Sequence, residues 1–292
     1  MNTITQLPEN ITNIGPSLHW MAQQVDDSPS SQLDAQVLLA AITKRPRAWL
    51  LAHPDTRLSD RERQAIGHAI SRLKSGTPLP YVIGNWEFYN LSFHLEPTVL
   101  IPRPETELLV DEAIHWLKQN PSRRRVADIG TGSGCIAVSL AVNIPNLQVT
   151  AVDISPAALV VAGDNALRHG VHQRVAFVVS DLLTNLTADE PPFDLICANL
   201  PYIPTSTLQR LTVFGSEPQQ ALDGGEDGLN LIRRLLHQAP DWISPGGILL
   251  LEIEARQGEA AAHLAQMFFP QAAIAILPDL AGHDRLLRIT TP

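Results

Sequence analysis

The sequence predicts a doubly wound α/β domain preceded by a small all-helical domain, with a β-hairpin linking the two. Three observations carry this. From residue 125 onward seven strand-like runs, RVADI, QVTAVD, RVAFVV, FDLICAN, GILLLEIE, AAIAIL and RLLRIT, are separated mostly by helix-length connections, the pattern of a sheet covered by helices. Residues 1–76 place apolar side chains at helical spacing. Between 77 and 102 the texture changes to TPLPYVIGNWEFYNLSFHLEPTVLIP, two β-rich runs around Asn90 with prolines at both ends. The expected boundaries are 1–76 for the helical domain, 77–102 for the hairpin linker and 103–292 for the α/β domain. A doubly wound sheet binds ligands beyond the carboxyl ends of its strands, so the site is expected there.

The elements follow in order. Leu33, Val37, Leu38, Ala41 and Ile42 form an apolar stripe after the Ser/Pro cluster 28–31, and a further helical segment starts at 45–51. Ser59 followed by Glu62 is a capping box, Ile66, Ile70 and Leu73 repeat at helical spacing, and Gly76 stands where a helix stops. Pro104 opens the next helix, with Glu105 and Glu107 in the first turn, where the helix dipole favours carboxylates; Val110, Ala113, Ile114 and Leu117 make its buried stripe.

Composition narrows the function. The 292 residues are 45% hydrophobic and 17% charged, without an apolar run near the roughly 18 residues of a membrane span. Residues 1–17 lack the basic start and apolar block of a secretory signal, so a cytoplasmic location is expected. Thirty acidic against 21 basic residues give a charge of −9, which repels nucleic-acid backbones. The one dense basic run, Arg123, Arg124 and Arg125, reads as a solvated helix end or loop before a strand. Cys135 and Cys197 stand apart among apolar neighbours and read as buried free thiols. Ten histidines are scattered, and His169 and His172 share a Gly-containing turn without a third ligand, so no metal site is expected.

The first strand ends in Asp128, Ile129, Gly130, Thr131, Gly132, Ser133 and Gly134, and an Ala/Val/Leu-rich helix follows. Alternate glycines let the backbone turn sharply and approach a ligand at a helix N-terminus. Asp153 ends the second strand, where a carboxylate can accept hydrogen bonds from both hydroxyls of a ribose. A nucleoside-containing cofactor is implied. A dinucleotide fingerprint would carry its third glycine one residue later, where Cys135 stands, and an oxidoreductase therefore ranks last.

The G-x-G-x-G spacing with an acidic end to the second strand resembles the S-adenosylmethionine site of class I methyltransferases. That resemblance puts Asp181 and Leu182, after the third strand, beside the adenine. Asn199, Leu200, Pro201 and Tyr202 follow the fourth strand and resemble the Asn-Pro-Pro-Tyr motif of methyltransferases acting on nitrogens of planar groups. There, the Asn side-chain oxygen and the next backbone carbonyl accept hydrogen bonds from the target NH₂. Such a nitrogen shares its lone pair with its neighbours, so catalysis needs a clamp that holds both N–H groups; no strong base is needed beforehand.

The whole chain, and especially Ile101, Pro102, Arg103, Pro104, Glu105, Thr106 and Glu107 with the glycine loop and 199–202, resembles the protein-(glutamine-N5) methyltransferases of peptide chain release factors. Ser216, Glu217 and Pro218, the stretch ALDGGEDGL at 221–229, residues 252–258, and Asp284 with Arg285 also match; read alone, they are surface turns and helix caps. The resemblance implies a seven-stranded methyltransferase sheet and methylation of the glutamine in the release factor's Gly-Gly-Gln loop. S-adenosylmethionine would be the methyl donor, leaving S-adenosylhomocysteine, and the helical domain would hold the protein substrate. Gly130, Thr131, Gly132, Ser133 and Gly134 would cradle the cofactor, Asp153 its ribose, and Asn199 with the Leu200 carbonyl the target amide, with Pro201 in the turn and Tyr202 walling the site, either packing on the amide plane or on the turn itself. Leu200 and Leu182 depart from the family pattern, which bears on the turn's stiffness and on adenine packing. An adenine-N6 methyltransferase acting on a flipped base is the runner-up, and a noncatalytic release-factor binding module is the third reading.

Overall fold

The computed structural model describes residues 5–25, 30–187, 190–211 and 213–292; residues 1–4 of the N-terminal stretch and residues 28 and 29 of the Ser/Pro cluster lie outside the described residues. The chain divides into two compact units, Met1–Asn85 and Trp86–Pro292.

The first unit holds α1 (Ile14–Gln24), α2 (Ser31–Thr43), α3 (Arg47–Ala52), α4 (Asp60–Lys74) and α5 (Leu79–Ile83). Its core gathers Ile14, Met21, Leu38, Leu39, Leu50, Ile66 and Ile70. Helix α4 begins as its sequence dictates: Ser59 N–H donates to Glu62 Oε2 (2.7 Å) and the Ser59 hydroxyl accepts from the Glu62 N–H (3.3 Å). Gly76 follows it in the left-handed region, φ +87°. The stripe expected on α2 is rotated: Ala35, Leu38 and Leu39 are buried, while Leu33 is 43% exposed. Apolar residues ring this helix nearly all round, so packing against its neighbours, and not periodicity, selects the inner face.

The segment 77–102 is only partly a hairpin. Pro78 precedes α5 and Pro80 lies in its first turn, where a fixed φ and a missing N–H suit a helix start better than a strand. The hairpin itself is β1 (Asn85–Phe88) and β2 (Leu91–His94). Tyr89 and Asn90 both take positive φ, 51° and 58°, the tight two-residue turn whose twist matches paired strands.

In the second unit, the 3₁₀ turn Pro104–Thr106 leads into α6 (Glu107–Gln119), which buries the expected stripe together with Leu109. Then follow β3 (Arg125–Ile129), α7 (Cys135–Asn143), β4 (Gln148–Asp153), α8 (Pro156–Arg168), β5 (Val175–Val179), β6 (Phe193–Ala198), the short α9 (Thr205–Leu208), α10 (Asn230–Gln238), β7 (Ile243–Glu252), α11 (Gly258–Phe268), β8 (Ala273–Pro278) and β9 (Asp284–Thr290). All seven predicted strands join one sheet in the order β5-β4-β3-β6-β7-β9-β8. The β3–β4, β3–β6, β4–β5 and β6–β7 pairs are parallel, and β9 is antiparallel to both β7 and β8. The chain runs outward from β3 to β5 and then crosses back to β6, so a topological switch point opens at the ends of β3 and β6.

The arginine run is a structural brace and not a solvated end. Arg123 Nη1 pairs with Asp194 Oδ1 at 3.0 Å, and the backbone N–H groups of Arg124 and Arg125 donate to Asp194 Oδ2 at 2.8 and 3.0 Å. Arg124 also donates to the carbonyls of Leu117 and Asn120, satisfying the C-terminal end of α6. His169 Nε2 donates to the Ser92 carbonyl (2.9 Å), tying its turn to the hairpin. Both cysteines are free thiols, Cys197 buried and Cys135 only half-buried. Among the described residues no three His, Cys, Asp or Glu side chains are grouped to hold a metal, and no helix is long and apolar enough to cross a membrane.

Candidate active site

At the carboxyl ends of β3, β4, β5 and β6 lies a cavity of about 640 Å³. It brings together Gly130, Gly132, Asp153, Asp181, Leu182, Asn199, Leu200 and Pro201, all expected from the sequence, and adds walls at 98–100 and in the loop 218–225. Thr131, Ser133, Gly134 and Tyr202 are not among its lining residues; they support it from behind.

The glycine loop needs its glycines. Gly130, Gly132 and Gly134 take φ of +75°, +55° and +80°, a region that costs other residues roughly 1–2 kcal/mol. The N–H groups of Gly130 and Thr131 both donate to the Val152 carbonyl (2.8 and 2.9 Å), pinning the loop to β4. A Cβ on Gly134 would stand 3.0 Å from the Ala162 Cβ, so this glycine lets α7 approach α8. The Ser133 carbonyl accepts from Asn165 Nδ2 (2.9 Å). Beneath the loop, Asp128 is fully buried and accepts from the Thr131 hydroxyl (2.7 Å) and the Ala137 N–H (3.0 Å). Its other oxygen has no partner among the described residues. Burial pushes its pKa up to about 6 in spite of those bonds.

Asp153, at the end of β4, accepts from the Gly132 N–H through Oδ2 and from the Ser155 N–H through Oδ1, both at 2.9 Å. One bond per oxygen holds the carboxylate still and leaves each oxygen a further lone pair. Burial raises its pKa, against the pull of those backbone bonds. Asp181 pairs through Oδ2 with Arg234 Nη2 at 2.6 Å, which leaves Oδ1 as its acceptor. Leu182 is buried with φ +54°, a strained conformation for a residue with a Cβ, held at the cavity wall.

Asn199 follows β6 and donates from Nδ2 to the Thr106 hydroxyl at 2.9 Å. Thr106 and Glu252, the last residue of β7, are both buried. The hydroxyls of Thr106 and Tyr202 hydrogen-bond the Glu252 carboxylate, the latter at 3.2 Å. A hydroxyl has one proton; with it given to Glu252, Thr106 can only accept from Asn199. The Asn199 amide is thereby oriented, with Nδ2 on Thr106 and Oδ1 left over as an acceptor. Burial pushes Glu252 up to about 7, and burial beside that carboxylate raises the Tyr202 phenol further. Tyr202 does not line the cavity; its hydroxyl fastens the turn through Glu252, the second of its two expected placements.

Leu200 is buried in the hydrophobic core, which explains how the turn stays firm without a second proline. Behind it, Gln257 Nε2 donates to the Tyr202 carbonyl (3.0 Å) while its Oε1 accepts from the Glu254 N–H (3.0 Å). A Cβ on Gly224 would lie 2.8 Å from the Pro201 carbonyl oxygen, so the loop 221–229 needs glycine to close on the turn. At the rim, Glu217 accepts from the Ile101 N–H (3.1 Å) and pairs with Arg103. The roles of Thr106, Glu252 and Gln257 are not legible in the sequence as bland turns and caps; the one signal is a carboxylate closing the wholly apolar run ILLL in β7.

Residues 17–84 match the PrmC N-terminal domain, and residues 105–213 match the methyltransferase small domain. A release factor glutamine methyltransferase of Moorella thermoacetica is 43% identical over 255 residues, covering 87% of this chain and 89% of the relative. One from Rhodopirellula baltica is 40% identical over 265 residues, covering 89% of each. Among solved structures, a T. thermophilus 16S rRNA methyltransferase in complex with AdoMet and guanosine superposes with a TM-score of 0.52 at 19% identity, over 71% of this chain and 50% of the other. That likeness concerns the fold.

Proposed function

The chain belongs to the release factor glutamine methyltransferase family, and from that premise we propose that its cavity serves methyl transfer from S-adenosylmethionine to the side-chain N5 of the glutamine in a release factor's Gly-Gly-Gln loop. The residues present fit the cofactor. The volume of about 640 Å³ suits a ligand of that size. Gly130 and Gly132 let backbone come close, Asp153 offers two fixed carboxylate oxygens to ribose hydroxyls, and Leu182 with Ile154 gives an apolar wall. When bound, S-adenosylmethionine supplies a methyl group on a positively charged sulfur, a good leaving group.

The protein's part is to hold the amide. Asn199 Oδ1 and the Leu200 carbonyl accept one N–H each, which orients the nitrogen and keeps its remaining electron density toward the methyl group. After transfer the nitrogen is acidic and releases its proton, so no strong base is required. The observation that carries this reading is the Asn199–Thr106 hydrogen bond, which leaves an oxygen and not an NH₂ for the substrate. A base amine, the runner-up, would meet a rim whose arginines are already paired, Arg103 with Glu217 and Arg234 with Asp181. The helical unit, whose residues 17–84 match the PrmC N-terminal domain, is assigned the role of holding the protein substrate. The reading carries a cytoplasmic location with it.

Radiolabelled methyl transfer to a release factor, with and without Gln→Ala in its tripeptide, tests the assignment. Label should enter the intact factor alone; equal label in both sinks the reading.

A further inference from the structure

Thr106 and Glu252 are each 1% exposed and do not line the cavity, yet both are joined to the residue that faces the substrate. Glu252 also keeps one oxygen, Oε2, without a partner among the described residues. A buried carboxylate at the end of an apolar strand weakens a fold unless it is fully paired. Fastening Tyr202 would need only a neutral acceptor, and a glutamine could supply one. What a carboxylate adds is that it accepts only, so every hydroxyl facing it must donate. That one-way property reaches Asn199 through a single hydroxyl.

We propose that Glu252, acting through the Thr106 hydroxyl, is the positioning residue that fixes which end of the Asn199 amide faces the target glutamine. The inference rests on the reading of Asn199 as the substrate acceptor. With Glu252 ionised, Thr106 donates to it and accepts from Nδ2, and Oδ1 faces the substrate. Protonating Glu252 frees the Thr106 hydroxyl to donate to Oδ1 instead. The amide then turns over and Nδ2 meets the substrate NH₂, donor against donor. The titratable and charged groups facing Glu252 are Tyr202, Glu105, Cys135 at the start of α7, and Arg285 on β9. Of these Arg285 favours the ionised form, while Glu105 opposes it.

The test is single-turnover methylation of a release factor across neutral pH, with S-adenosylhomocysteine affinity as control. Thr106→Val should lower the rate by about 10- to 100-fold, the scale for outer partners of reacting groups, with cofactor affinity unchanged; Thr106→Ser should restore it. In an Asn199→Ala background Thr106→Val should cost nothing further, since the amide it orients is gone. The unmodified enzyme should lose rate on the acid side of neutrality, and Glu252→Gln should be slower and lack that limb. A wild-type rate in Thr106→Val, losses that multiply with Asn199→Ala, or an acid limb that persists in Glu252→Gln would overturn the proposal. If Thr106→Val fails to fold, Thr106→Ala takes its place in the same comparison, and losses that multiply with Asn199→Ala overturn the proposal. Failure of the wider reading looks different: the unmodified protein would then transfer no methyl to the factor at any pH.

Discussion

Leu200 lies against Gly130: a Cβ on that glycine would stand 3.0 Å from Leu200 Cδ2. The turn 199–202 and the glycine loop, proposed to hold the substrate amide and the cofactor, are therefore in direct contact. On the proposed reading, a leucine side chain on one side and a bare Cα on the other set how the two reactants are aligned.

Gly130→Ala should accordingly harm both functions. The left-handed backbone adds roughly 1–2 kcal/mol of strain, and the methyl group must displace Leu200. Calorimetry with S-adenosylhomocysteine should show weaker binding, and methyl transfer should fall by a larger factor than binding. Adding Leu200→Ala should recover part of the transfer rate, since it removes the clash; no recovery would mean that strain alone is responsible.

Leu200→Pro gives the Asn-Pro-Pro-Tyr motif that the turn resembles, but the side chain it removes is buried in the core. Methyl transfer should stay near normal because the backbone carbonyl is kept, while thermal stability should drop by a margin of about 1–2 kcal/mol for the lost packing. A large loss of rate with unchanged melting temperature would show that the leucine itself shapes the site.

The alternation of strands and helices, the glycine loop, Asp153 and Asn199 were all legible because each rests on a local rule: a period, a backbone conformation that needs glycine, or a polar residue at a strand end. What sequence could not supply is who stands behind them. Thr106 lies 93 positions before the Asn199 it orients, and nothing in IPRPETE tells a helix start from a hydrogen-bond relay. Tyr202 has a motif position but no stated direction, and only the buried Glu252 turns it inward. The inner face of α2 and the bracing by Arg123 and Arg124 were likewise set by contacts between distant segments.

Asp153→Ala should weaken S-adenosylhomocysteine binding by roughly 1.5–3 kcal/mol, about 10- to 150-fold, the scale of a charged hydrogen-bonding partner. It also frees the Gly132 N–H that the carboxylate now holds, so Asp153→Asn should recover only part of the loss. An unchanged dissociation constant would remove Asp153 from the cofactor site.

Asn199→Ala should slow single-turnover methylation by about 10²- to 10³-fold, as for one preorganised polar stabiliser, with cofactor affinity changed far less. Asn199→Asp offers an acceptor of similar shape, but it places a second carboxylate near Glu252 and is expected to rescue little. Near-normal turnover in Asn199→Ala would defeat the clamp.

The same buried carboxylates set how stability varies with pH. Glu252 and Asp128 are raised by burial from 4.5 to about 7 and from 3.8 to about 6, so the folded protein binds their protons more tightly than the unfolded chain. Stability from this source is fully present below the unfolded values and is lost as pH rises through the folded ones, with Glu252 accounting for up to about 3 kcal/mol. Asp227 and Asp279 are lowered, chiefly by backbone hydrogen bonds from Leu229 and His283, and act the opposite way, but only in more acidic solution. The melting temperature should therefore fall between about pH 4 and pH 7, and Glu252→Gln should flatten that fall. The relay through Thr106 needs the ionised carboxylate, so activity should rise around neutrality, at the upper end of the interval in which stability declines. A melting temperature that stays level or climbs with pH would show that Glu252 keeps an ordinary carboxylate pKa and is ionised without cost.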